Sequence, residues 1–160
     1  TFDDSKKKDE KYYINTDQTY TYDADAGTVT ATYGNATAKA HADTLFTAQD
    51  ETDGKGTEGE VATRGLKYNF IKTIKAQAAG ILQDTDWYIL RKADADTDVP
   101  SAITTFRAAV RTKAAAMETL ITNASNTAAI ETLYTYVNTA DEGDPVVMER
   151  PLGEFPELGS

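Results

Sequence analysis

The chain has 160 residues, a formal net charge of −10 and no cysteine. Its length suits one domain, or one domain with an appendage, with room for a real core. Lacking cysteine, it has no disulfides, thiolate metal sites or cysteine nucleophiles, and its acidity argues against nucleic acid, whose binding needs clustered Lys and Arg.

The lysines of KKKDEK (6–11) do not reverse that balance, because acidic neighbours dilute them. No apolar run approaches the roughly 18 residues of a membrane span, and the polar start does not read as a signal peptide. Assembly inside a cell, without a membrane, is the expectation. Residues 1–11 are charged and aperiodic, which predicts a mobile tail.

Residues 12–48 form the expected β module. Tyr12, Tyr13, Tyr20, Tyr22 and Tyr33 sit among threonines, a strand-forming mixture. Thr19–Ala24 and Thr28–Tyr33 predict a hairpin around Asp25, Ala26 and Gly27. Tyr20 and Tyr22 then share one face, as do Val29, Ala31 and Tyr33. An isolated hairpin is marginal in water, so this one needs a third strand, a helix or another subunit, and the segment around Ile14 is the candidate strand. QDETDGKGTEGE (49–60) is glycine-rich and acidic, and predicts a linker and domain boundary.

Residues 61–140 predict a helical module. Val61, Leu66, Phe70, Ile74, Ala78 and Ile81 recur at helical spacing, and the first helix should end near Gly80–Gln83. A loop at 94–101 stops at Pro100, and Ile103, Phe106, Val110, Met117, Leu120 and Ile121 mark a second helix. Asn126 is placed to cap a third, carrying Ile130, Leu133, Tyr134 and Val137. Residues 141–160 hold three of the four prolines and predict an extended tail. Strands first and helices after define an α+β chain.

Chemistry-bearing patterns are weak. DADTD (94–98) resembles the opening of a calcium loop, but Val99 and Thr105 stand where that loop wants glycine and glutamate. A solvated loop is the simpler reading. His41 is the single histidine, and no GxSxG accompanies it. GKGTEG (54–59) lacks the GK[ST] ending of a phosphate loop, and nothing fixes two carboxylates across a cleft as glycoside hydrolysis needs. For Tyr20, Tyr22 and Tyr33, cross-strand packing is the favoured role and a contact surface the alternative. Trp87, the only tryptophan, is expected to plug the turn between two helices, contributing on the order of 3 kcal/mol. Beside it Asp86 would cap backbone N–H groups or pair with Arg107 or Arg111.

ILQDTDWYILRK, the acidic loop and VPSAITTFRAAVR together (81–111) resemble the helical module of bacteriophage tail-fibre and tail-assembly proteins. The residues that carry the resemblance are Leu82, Thr85, Asp86, Trp87, Phe106, Arg107, Val110 and Arg111. W-Y-x-x-R-K followed by an acid-rich loop and V-P is similar to small virion proteins of marine and cyanobacterial phages. The likeness continues through Glu118, Ile121 and residues 127–133 to PLGEFPEL (151–158). It departs at Ile103, where many members have tryptophan, and at Phe155-Pro156, where W-P is usual.

The resemblance implies a passive building block: a structural subunit of a phage tail (fibre, baseplate or neck) acting through protein–protein contacts. Asp86, Trp87, Phe106, Arg107 and Arg111 would be its structural and docking residues, and other tail or virion proteins its partners. A homo-oligomer follows by analogy with fibres, which are commonly trimeric. No enzymatic activity, cofactor, metal, nucleic acid or membrane is expected. The alternatives are an assembly chaperone absent from the mature virion, and a receptor-binding module gripping host glycan through the tyrosine hairpin.

Overall fold

In the computed structural model, which describes residues 1–159, the chain is α+β. It divides into two compact units. The first comprises Thr1–Leu66 with Asn126–Glu131, the second Lys67–Ser125 with Thr132–Ser160.

The first unit is built on short strands. β1 is Phe2–Asp3, β2 Tyr13–Ile14, β3 Gln18–Asp23, β4 Thr28–Tyr33 and β5 Thr37–Ala38. The expected hairpin is present as antiparallel β3 and β4, paired from Gln18–Tyr33 to Asp23–Thr28. Gly27, at φ 61, takes the left-handed turn conformation that glycine adopts most readily. The third strand is not the Ile14 segment. β1 pairs parallel with β4, setting Phe2 beside Ala31 and Asp3 beside Thr32. The Thr1 ammonium donates to Val29 O at 2.7 Å, and Ala31 N–H donates to Thr1 O. Residues expected to trail as a tail therefore start on the sheet. Ile14 pairs with Thr37 in the separate β2–β5 ladder.

Residues 44–63 correct the linker expectation. β6 (Thr44–Leu45) and β7 (Val61–Thr63) pair antiparallel, which puts Val61 in a strand rather than in the first helical stripe. Between them lies α1, Ala48–Thr52. Thr47 caps it, accepting from Asp50 N–H while the Asp50 carboxylate accepts from Thr47 N–H. This is a capping box with Asp in the place Glu or Gln usually takes. Bonds from Thr47 backbone and hydroxyl, and then from Lys55, hold the Asp50 pKa down to about 2.

This unit buries Tyr12, Tyr13, Ala31, Leu66, Thr127 and Ile130. The Tyr13 hydroxyl donates to Glu131 Oε2 at 2.8 Å, a bond that raises the tyrosine pKa above its ordinary value. Thr127 Oγ1 donates to Lys39 O at 2.6 Å.

The second unit is helical: α2 Leu66–Gln83, α3 Asp86–Ala95, α4 Ser101–Asn123 and α5 Thr127–Tyr134, with α5 divided between the units. The stripes are those that helical periodicity dictates. α2 buries Phe70, Ile74 and Ala78; α4 buries Ile103, Val110, Ala114, Met117 and Ile121. Leu120, expected on that stripe, is exposed, because the buried row follows a 3–4 spacing through Met117 and Ile121. Asn126 caps α5, its Oδ1 accepting from Ala129 N–H at 2.8 Å. Val137, expected on that helix, lies in β8 (Val137–Asn138), which pairs with β9 (Met148–Glu149).

The carboxy-terminal segment is no extended tail. Leu152 is fully buried, and its N–H donates to Leu133 O at 3.0 Å. Arg150 then stacks 5.5 Å from the Tyr134 ring and pairs with Glu154 at 2.7 Å.

Candidate docking site

The buried row of α4 runs Ile103, Val110, Ala114, Met117, Ile121. Continuing its spacing of threes and fours toward the amino end leaves one vacancy, four residues after Ile103 and three before Val110, and Arg107 fills it. A guanidinium on an apolar stripe is costly unless its donors find acceptors. Here they do. Arg107 Nη1 donates to Leu82 O at 2.8 Å and to Thr85 Oγ1 at 2.7 Å, while Nη2 meets Asp86 Oδ1 at 2.8 Å. The Arg107 side chain is only 12% exposed, whereas that of Asp86 is 53% exposed.

Each acceptor has a reason to be there. Leu82 lies in the last turn of α2, where carbonyls have no intrahelical partner and the helix dipole favours a cation. Thr85 is buried. Its hydroxyl turns back to Leu82 O at 2.9 Å rather than capping the helix that follows. Arg107 thus ties α4 to the end of α2 and to the start of α3.

This clasp replaces the expected plug. The turn between helices is only Asp84–Thr85, and Trp87 falls in the first turn of α3. The residue is 49% exposed, and its ring lies against Tyr88, at 3.9 Å between centroids. The Arg91 guanidinium sits 4.7 Å over the indole. No residue of α3 is buried, and Ile89 and Leu90 are exposed with Trp87. α3 is ten residues long and its first residue, Asp86, is held by Arg107, an attachment that leaves Trp87 facing outward.

Of the other expected site residues, Asp86 pairs with Arg107 and not Arg111. Arg111 is exposed and in no ion pair among the described residues. Phe106, half-buried, lines a groove of about 770 Å³ together with Ile81, Thr85, Phe155, Pro156 and Leu158. Phe106 and the Phe155-Pro156 pair, widely separated in sequence, are thereby brought together.

The acidic loop forms no carboxylate cage: the Lys92 ammonium lies 2.7 Å from Asp96 and 2.8 Å from Asp98. Lys92 holds the Asp98 carboxyl below its usual range. Tyr20 and Tyr22 are 70% and 66% exposed, correcting the packing expectation. Their partners across the hairpin, Ala31 and Val29, are too small to cover the rings. Tyr33 is half-buried, with Lys7 5.5 Å from its ring centroid.

What the sequence reading missed is the burial of Thr85 and the role of Leu82 O. The signal was present, since an arginine at a core register of an otherwise apolar stripe demands acceptors nearby. No helix among the described residues is long and apolar enough to cross a membrane. Comparison with protein-family models, with curated proteins and with solved structures gives no match to this chain.

Proposed function

We propose that this chain is a structural subunit of a bacteriophage tail, working by docking to other virion proteins. The observation that carries the reading is α3: a helix anchored at one end by Arg107 that offers Trp87, Ile89 and Leu90 to solvent. Trp87 and Leu90, three residues apart, are neighbours on the helix surface, and an exposed tryptophan is the kind of anchor that dominates protein–protein contacts, since it brings large area at low entropic cost. The local pattern T-D-W and F-R-x-x-V-R, similar to that of tail-fibre and assembly proteins, supplies the phage context. The net negative charge keeps the free subunit soluble until it docks.

Peptide mass spectrometry of purified particles, beside the lysate they came from, tests this. The expected result is peptides of this chain in intact virions. Peptides in the lysate but none in the particles would defeat the subunit reading in favour of an assembly chaperone that departs.

A further inference from the structure

The three-stranded sheet has the order β1-β4-β3, so β3 forms its outer edge. The other side of β4 is partly covered by β1 and the Thr1 backbone. An open edge is a row of unpaired N–H and C=O groups, usually guarded by lysine, proline or a bulge. β3 has none of these. Gln18-Thr19-Tyr20-Thr21-Tyr22 carries no charge, and its pairing with β4 runs to Asp23 without a register shift. Phe2, Tyr20, Tyr22 and Val29 share one face of this sheet by register and are all exposed.

We infer that β3 pairs antiparallel with β3 of a second copy of this chain, across a two-fold axis at Thr21. The edge is complementary to itself in this register. Thr21 faces Thr21, Tyr20 faces Tyr22 of the other copy, and Asp23 faces neutral Thr19. Moving the axis to Tyr20 would set Asp17 against Asp23, within the strand, and like charges directly opposite destabilise a pair; with the axis at Thr21, Asp17 falls opposite Asp25, which lies past the end of β3 in the turn. Moving it to Tyr22 would leave Tyr20 opposite Ala24 and lose the mixed tyrosine pairs. Two copies of a −10 chain repel overall, and this uncharged row is a place where their backbones approach at low electrostatic cost. The product is a continuous six-stranded sheet with four tyrosines clustered two by two on one face, an isologous contact of the usual two-fold kind. Because the inference draws on β3 alone, it stands or falls apart from the virion reading.

Analytical ultracentrifugation over a concentration series decides it, using wild type, Thr21→Lys, Thr21→Glu and an equimolar mixture of the two. Wild type should dimerise with rising concentration, and each charged variant alone should stay monomeric. The mixture should recover dimer, since lysine then faces glutamate. As Thr21 is exposed, the variants should keep the wild-type circular dichroism. Should either charge disturb the hairpin, Thr21→Cys serves instead: the chain has no other cysteine, and Cβ atoms paired across strands lie near disulfide reach. On mild oxidation it should cross-link to its copy faster than Asp25→Cys in the turn. A wild type that stays monomeric throughout would overturn the proposal and leave the edge to a strand of another protein. So would a dimer surviving in both single variants, a monomeric mixture of well-folded variants, or equal cross-linking at positions 21 and 25.

Discussion

Replacing Arg107 with alanine should lower stability by about 2–3 kcal/mol, the range for losing hydrogen bonds to a charged group together with a buried stem. Three acceptors lose a donor at once: Leu82 O, Thr85 Oγ1 and the Asp86 carboxylate. The cost is not shared evenly among them. Asp86 is half exposed and can turn to water, so Asp86→Ala should cost no more than about 1 kcal/mol, as exposed ion pairs do. Thr85 is buried and has no such escape. Arg107→Lys keeps the charge but not the planar fork that reaches several acceptors, so it should recover less than half of the loss. Urea unfolding followed by circular dichroism measures all three. An Arg107→Ala loss no larger than that of Asp86→Ala would mean that the guanidinium is not holding the helices.

Gly65→Ala should cost about 1–3 kcal/mol, as over-packing does. A methyl group at Gly65 would lie 2.2 Å from the Ala42 carbonyl oxygen and 2.3 Å from its carbon. Both are backbone atoms, so the chain itself must move. Three interactions resist that movement: Gly65 N–H to Asp43 at 2.8 Å, Arg64 to Asp43 at 2.6 Å, and Leu66 N–H to Ala40 O at 2.9 Å. The Gly65 bond, and after it Arg64, keeps the Asp43 carboxyl below its usual pKa. Gly80 provides a control of opposite sign. It lies within α2 with nothing near its missing Cβ, so Gly80→Ala should gain about 0.4–1 kcal/mol through the unfolded chain. Thermal melts of the two variants should therefore move in opposite directions from wild type. Movement in the same direction would contradict the close approach at Gly65.

The contrast between these positions separates what was legible in the sequence from what was not. Local periodicity fixed Phe70, Ile74 and Ala78 on one face of α2, since a helix repeats over a few residues and needs no distant partner. The β3–β4 hairpin was legible for the same reason, its register being set by a nearby turn. Phe2–Asp3 was not, because a parallel pairing with β4 spans most of thirty residues and leaves no local pattern. Residues 49–60 read as linker on composition, yet Thr47 and Asp50 form a cap whose geometry outweighs the surrounding glycines.

The candidate site divides similarly. That Asp86 meets an arginine of the next helix could be read from complementary charge, but the choice of Arg107 over Arg111 could not. The burial of Thr85 and the exposure of Trp87 depend on which side of α3 faces inward, and short amphipathic segments do not encode that. Size points Trp87 inward, since large apolar residues are buried on average, yet α3, held at its start by Arg107, turns it outward.

Arg107 is the fastener and the Trp87 indole the presented surface. Because Trp87 is the only tryptophan, acrylamide quenching of its fluorescence in the folded chain reports on that division without any mutation. The emission should be that of a partly hydrated indole, with a quenching constant only modestly below that of the chain unfolded in urea. A blue-shifted emission shielded from acrylamide until unfolding would place the ring inside the helical unit and contradict the assignment.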